Sequence, residues 1–298
     1  MQKQEHRITS GDLTLFAVTE GNPEAEPVIL VHGYPDNHSV WDPVARQLAE
    51  QYFVIRYDVR GAGRSDKPEH IRDYRLPLLA ADLKAVADTL IPERDFHLAA
   101  HDWGSIQSWE SVTTEPLKSR ITSYTSISGP CLDHVSFWFR NRVTDLRKGG
   151  IRQVMKQLGS SWYIAMFQLP VVPELIWQAG LDRLWPGILQ KHEGLTDASF
   201  SPQQKDDGRY GINLYRANFG PKLVNPEARP ASCPVQIIVP TRDNYVGEQL
   251  FEGLEKWVGK LTRTDLDAPH WVIRTHPENI VRLLSDFIGA NGRNKKAA

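Results

Sequence analysis

The segment Leu98-Ala99-Ala100-His101-Asp102-Trp103-Gly104-Ser105 follows an apolar run and precedes a helical pattern. A strand-to-helix turn that lifts its central residue above a sheet is so tight that only small side chains fit two positions to either side. Ala100 and Gly104 hold those positions around Asp102. Ser105 is a poorer centre because bulky Trp103 stands two before it, and Ser128 has Pro130 two after it. The plainer reading of the same turn is an aspartate that caps the next helix.

A carboxylate of ordinary pKa is ionised near neutral pH, so it displaces at a saturated carbon without a base to activate it. The product is an ester of the protein, which water must then hydrolyse. That second step needs a general base, a group to orient the base, and donors for the oxyanion.

Outward from this turn, the runs 28–33, 53–60, 96–102 and 121–129 are β-rich and bounded by turn residues. Between them, Leu79, Leu83, Val86 and Leu90 are spaced as on one helix face. Strands that alternate with helices imply a mostly parallel, doubly wound sheet with right-handed crossovers. The start, 5–20, alternates like an antiparallel edge hairpin. Residues 131–230 read as mostly helical and hold Trp138, Trp162, Trp177 and Trp185. Strand patterns return at 233–240 and 261–267, and a last helix begins at Pro277, a favoured first-turn residue. The expected organisation is a core of 1–130 and 231–298 with a helical cap of 131–230 between two parts of one sheet.

The remaining parts of the chemistry occupy strand ends. His270 follows the last strand and Asp243 the one before it, so the order Asp102, Asp243, His270 matches nucleophile, acid and base of the α/β-hydrolase arrangement. After the first buried strand, "HGYP" (32–35) offers the backbone N–H of Tyr34 to pair with that of Trp103 as oxyanion donors. Each residue alone has a plain reading: His270 as a loop histidine and Asp243 as a turn former. Three at three strand ends in order argue for the triad.

With "HGYPD", "DVRGAGRSDKP", "HDWGS", "TRDNYV" and "APHW" in sequence, the chain resembles the α/β-hydrolase epoxide hydrolases from about residue 9 to 288. These motifs are shared with haloalkane dehalogenases, which keep the Asp–Trp pair. The resemblance implies two cap tyrosines that bind and protonate the epoxide oxygen. One lies four residues before an F-Q-x-P segment, which matches Tyr163 before Phe167-Gln168-Leu169-Pro170. The other opens a Tyr-Arg segment, which matches Tyr215, with Tyr210 as fallback. His32, Pro35, Phe167 and Trp271 are expected to line the substrate pocket. His32, His101 and His276 also carry a structural reading. Ala100 stands where the family often has Gly, and a methyl group is small enough there. Tyr34 replaces the Asn with which many haloalkane dehalogenases hold halide, and fluoroacetate dehalogenases carry Arg where this chain has Trp103. The sequence is also similar to the hydrolase half of actinobacterial proteins fused to a short-chain dehydrogenase.

The expected activity is cofactor-independent conversion of an apolar epoxide to a vicinal diol, in detoxification or lipid epoxide metabolism. The alternatives are a haloalkane dehalogenase that uses the same aspartate and a catalytically inactive ligand-binding relative.

Composition bounds these readings. Of the 298 residues 41% are hydrophobic and 24% charged, a globular profile. The formal net charge of −1 leaves no whole-chain footprint for nucleic acid or an anionic membrane. No stretch approaches the roughly 18 apolar residues of a membrane span, the N-terminus lacks a signal-like apolar region, and two cysteines suit a reduced, cytoplasmic setting. No HExxH or paired metal spacing occurs, so no metal is expected. The glycines of 60–66 read as a tight turn rather than a phosphate cradle. "FWF" (137–139) reads as cap core or the wall of an apolar tunnel, and the basic tail 291–298 as solvated. A homodimer is left open.

Overall fold

The computed structural model describes residues 3–144 and 150–292. Eight strands form one sheet: β1 (Gln4–Ser10), β2 (Leu13–Glu20), β3 (Pro27–Val31), β4 (Phe53–Tyr57), β5 (Phe96–His101), β6 (Ile121–Ile127), β7 (Val235–Pro240) and β8 (Leu261–Leu266). Their spatial order is β1-β2-β4-β3-β5-β6-β7-β8. The expected edge hairpin is present, with β1–β2 and β2–β4 antiparallel and every other pair parallel.

Alternation along β3 explains the layering. Ile29 and Val31 join one apolar cluster, where α2 (Leu76–Leu90) contributes Leu79, Leu83 and Val86 and α3 (Trp103–Thr113) contributes Ile106 and Trp109. Val28 and Leu30 join the opposite cluster, with Val44 and Leu48 of α1 (Asp42–Leu48) and Ile280, Leu284 and Ile288 of α11 (Pro277–Asn291). Strands covered on both faces read as nearly continuous apolar runs, and β3, β4, β5 and β7 are buried at every residue. The edge strand β8 is not. The 60–66 stretch is a turn, with Gly61 and Gly63 at φ 86° and 52°. A Cβ on Gly63 would strike the Asp58 carboxylate. The tail expected to be solvated lies, from residue 293, outside the described residues.

Between β6 and β7 run α4 (Leu132–Thr144), α5 (Gly150–Ser160), α6 (Trp162–Phe167), α7 (Val172–Ile176), α8 (Asp182–Glu193) and α9 (Gln204–Val224), with the short α10 (Val272–Thr275) following β8. Helix α9 ties this insertion to the sheet's loops. Asp207 accepts from Asn37 Nδ2 (2.9 Å) and from the Gly63 N–H (2.7 Å). Asn218 accepts from the Leu76 N–H and donates to Tyr74 O. Gly211 is pressed against the Tyr34 ring, leaving no space for a Cβ.

Candidate active site

Asp102 sits between β5 and α3 with φ 52° and ψ −124°, a region that side chains other than glycine rarely adopt. Such strain costs about 1–3 kcal/mol and persists only where surroundings over-determine it. Here the Asp102 N–H donates to Ile127 O and its carbonyl accepts from the Ile106 N–H, both at 2.9 Å. Gly104 lies over the carbonyls of Val31 and His32, and Gly129 over that of Asp102. A Cβ at either would collide. Ser105 is occupied elsewhere, its Oγ bonded among Tyr124, Ser126 and Gly129.

The strand ends bring three of the expected residues together. His270 Nδ1 lies 2.7 Å from Asp243 Oδ2, and its Nε2 lies 3.5 Å from Asp102 Oδ2. Asp243 is fixed by the N–H groups of Tyr245 and Val246, which donate to Oδ1. Burial works to raise the Asp243 pKa, but His270 and those N–H donors outweigh it and hold the carboxyl low. Burial likewise opposes charge on His270, yet the carboxylates of Asp243 and Asp102 hold its pKa well above the ordinary range. The Tyr34 N–H donates to Asp102 Oδ1 at 2.7 Å, so one carboxylate oxygen already rests in the expected oxyanion site. Trp103 begins α3, where first-turn N–H groups have no intrahelical acceptor.

Above Asp102 lies a cavity of about 440 Å³, walled mainly by apolar side chains such as Ile106, Leu132, Val135, Ile164 and Leu250. Tyr163 and Tyr215 line it, with ring centroids 6.0 Å apart. Burial raises both phenol pKa values, and the Asp102 charge adds to this. Both hydroxyls therefore keep their protons. Arg216, next to Tyr215, donates to Phe167 O at 2.8 Å and to Leu169 O at 2.5 Å, and pairs with Glu174. One guanidinium thus joins the Tyr-Arg segment to the F-Q-x-P segment that follows Tyr163. Tyr210 is elsewhere, with its hydroxyl on Glu69.

The expected pocket residues need correction, because none of the four lines the cavity. His32 is buried with Nδ1 donating to Gly33 O and Nε2 accepting from the Val59 N–H, so both ring nitrogens serve the backbone. Pro35 gives its carbonyl to Gln204. Phe167 packs behind the tyrosines, 4.8 Å from the Tyr215 ring centroid. Trp271 supports the His270 ring at 4.8 Å and donates its indole N–H to Asp36. His101 donates Nε2–H to His270 O, and burial lowers its pKa to about 4. Of "FWF", Phe139 lines the cavity, Trp138 is buried, and Phe137 stacks on Trp257.

Reading the sequence missed Tyr245, whose ring meets His270 at 4.9 Å and lines the cavity. It stands two residues after Asp243, so it shares that loop. It also missed Gln157, a buried cavity residue bonded to Gln249. No local signal separates that glutamine from a solvated one. No group of three or more His, Cys, Asp or Glu side chains suited to a metal is found among the described residues.

With this geometry in hand, comparison with known proteins gives the class. A family model described as alpha/beta hydrolase fold matches residues 26–277, and the chain belongs to that family. Among relatives, "Probable oxidoreductase EphD" of Mycobacterium tuberculosis is 32% identical over 307 residues, covering 100% of this chain and 52% of that protein. The chain therefore spans about half the length of that relative. "Epoxide hydrolase 3" of Xenopus tropicalis is 23% identical, covering 95% of this chain and 76% of the relative. A Bacillus megaterium epoxide hydrolase solved with an inhibitor superposes with TM-score 0.77 at 20% identity, covering 95% of this chain and 100% of that one. The resemblance to epoxide hydrolases read from the motifs is thus matched by relatives of that name.

Proposed function

We propose that the protein is an epoxide hydrolase acting on an apolar epoxide, with residues 131–230 as a cap domain over a core of 1–130 and 231–298. One observation carries the reading: Tyr163 and Tyr215, both protonated, share one apolar cavity with Asp102. A nucleophilic carboxylate alone serves several displacements, whereas two phenol donors suit an oxygen that stays attached to the substrate and gains negative charge.

Asp102 Oδ2 attacks an epoxide carbon. The ring C–O bond breaks as a tyrosine hydroxyl gives its proton to the departing oxygen. Oδ1 becomes the ester carbonyl while still bonded to the Tyr34 N–H. Esterification removes one of the two carboxylate charges that hold the proton on His270. The imidazole then releases that proton, which restores the tyrosine, and becomes a base. Water attacks the ester carbon and gives a proton to His270 Nε2, while the N–H groups of Tyr34 and Trp103 hold the oxyanion. Collapse expels the diol oxygen, which takes the proton of the new carboxylic acid. No step calls on a cofactor. Cys131 and Cys233 are free thiols, which suits the cytoplasmic setting read from the sequence.

A second reading, haloalkane dehalogenation, is favoured by the buried Trp103 indole N–H. The Trp103 ring lies 4.8 Å from that of Tyr215 at the cavity wall, and its indole N–H has no hydrogen-bond partner among the described residues. Intact mass of His270→Gln after exposure to epoxides and haloalkanes separates the readings. A gain equal to a whole epoxide supports the hydrolase. A gain equal to an alkyl group without its halogen overturns it in favour of the dehalogenase, and no adduct on folded protein favours a binding role.

A further inference from the structure

Among the described residues, every exposed large apolar side chain except Ile71 and Leu78 lies between residues 131 and 230. Four of these follow a helical stripe through α5 into α6. Ile151, Met155, Leu158 and Trp162 are 51%, 62%, 52% and 66% exposed. Their spacing of four, three and four residues is that of one helix face. The inward side of α5 holds Val154 and the polar Gln157, both buried. This helix is inside out by the rule for a globular surface, where the apolar stripe faces the core.

The stripe borders the cavity mouth. Leu158 of α5 and Leu223 of α9 both line the cavity and are both half-exposed, so the cavity opens between them. Val224, beside Leu223, is also exposed, and its carbonyl accepts from Arg140. Among the described residues, Arg140 and Arg142 on α4, which packs on α5, and the exposed Arg152 of α5 are the basic side chains on the elements beside the stripe. From Arg140 to Ser160 the sequence has six Lys or Arg and one Asp, within a chain of formal net charge −1. Of the described ones, Arg142 is paired with Glu252 and Arg140 is held at the Val224 carbonyl. The near-zero total conceals this local excess.

We propose that this face docks on an anionic phospholipid surface, and that membrane-dissolved substrate enters the cavity directly through it. A protein partner seated here would plug the mouth, whereas a bilayer both covers the face and supplies apolar substrate. A second copy related by a two-fold axis would set the same basic residues against each other. An apolar stripe with aromatic and basic members is how a helix lies in a membrane interface, and each basic side chain near an anionic surface adds about fivefold to binding. No helix among the described residues is long and apolar enough to cross a membrane, so the contact is interfacial. Docking rests on the surface alone, and substrate delivery rests on the epoxide reading.

The test is co-sedimentation with vesicles of phosphatidylglycerol and phosphatidylcholine, and with phosphatidylcholine alone, for wild type and for Ile151→Ser/Met155→Ser/Trp162→Ser. None of the three residues lines the cavity, and unchanged thermal melting checks the fold. Wild type is expected to partition into the anionic vesicles at least tenfold better than into the neutral ones. The triple variant is expected to lose at least tenfold of that binding. It should keep turnover of a water-soluble epoxide and lose the wild-type advantage on an epoxide dissolved in the vesicles. Absent or unchanged binding overturns the proposal. So does dimerisation of wild type, lost in the triple variant, without vesicle binding. Vesicle binding without turnover of any epoxide keeps the docking face and removes the epoxide reading instead.

Discussion

Helices α11 and α5 carry the same kind of apolar stripe and use it in opposite ways. In α11, Ile280, Leu283, Leu284 and Ile288 are buried in the cluster on one face of the sheet, and Phe287 is buried beside them in the chain. In α5 and the start of α6, the equivalent stripe faces out beside the cavity mouth. Periodicity identifies a face and says nothing of what covers it. In the core the covering is the sheet, and the stripe contributes stability. In the insertion only Leu158 of the stripe reaches the cavity, and the other three side chains are left facing out, where the proposed docking would use them.

The largest contrast lies in the chemistry. In the proposed mechanism the core supplies nucleophile and base, so His270→Gln should lower turnover by about 10³–10⁴-fold, within the range for loss of a general base, while ester accumulates in single-turnover mass spectra. Full turnover in this variant would remove the base assignment. In the same proposal the insertion supplies the acids. Tyr163→Phe with Tyr215→Phe should cost about 10²–10³-fold in epoxide turnover, leaving α11 and the melting temperature nearly unchanged. If halide release survives in that double variant while epoxide opening is lost, the two regions divide the work as drawn.

Stability sharpens the same contrast at smaller scale. Leu284→Ala should cost about 2–5 kcal/mol by denaturant titration, as for a buried leucine. Met155→Ala, on the outward stripe, should stay within about 0.5 kcal/mol. Comparable losses would mean that α5 has a covering partner within the chain.

The smallest effect concerns the join between the regions. Burial raises the Asp207 pKa to about 7, Asp58 reinforces the rise, and Lys67, Asn37 and the Gly63 N–H oppose it. A carboxyl whose folded pKa is raised stabilises fully below its ordinary unfolded value, and that stability is lost as pH rises through about 7. His270, also raised, acts in the same direction. Melting temperature should therefore fall from pH 5 to pH 8, and Asp207→Asn should flatten part of the slope. An unaltered slope would place the titration elsewhere.

Some of the site was legible because its constraints are local. Ala100 and Gly104 mark a turn whose backbone has no room for larger side chains, and that turn singles out Asp102. His270 and Asp243 stand just past strands, and parallel strands align their C-terminal ends. The pocket was not legible. His32, Pro35, Phe167 and Trp271 sit in or beside the right motifs, but they brace the site from behind. Tyr245 and Gln157 line the cavity from a loop and from an inside-out helix. Arg216 explains why two distant motifs go together, since its contacts span more than forty residues.

The sequence by itself determined the doubly wound sheet, the helical insertion and the strand-end order of Asp102, Asp243 and His270. These follow from periodicity, turn chemistry and small residues at a tight bend, all set by neighbours in the chain. Only the tertiary structure decided which apolar faces are covered, which side chains wall the cavity, and that one oxygen of Asp102 rests on the Tyr34 N–H. Those outcomes depend on surfaces from distant segments meeting, and burial is a property of the meeting rather than of either segment.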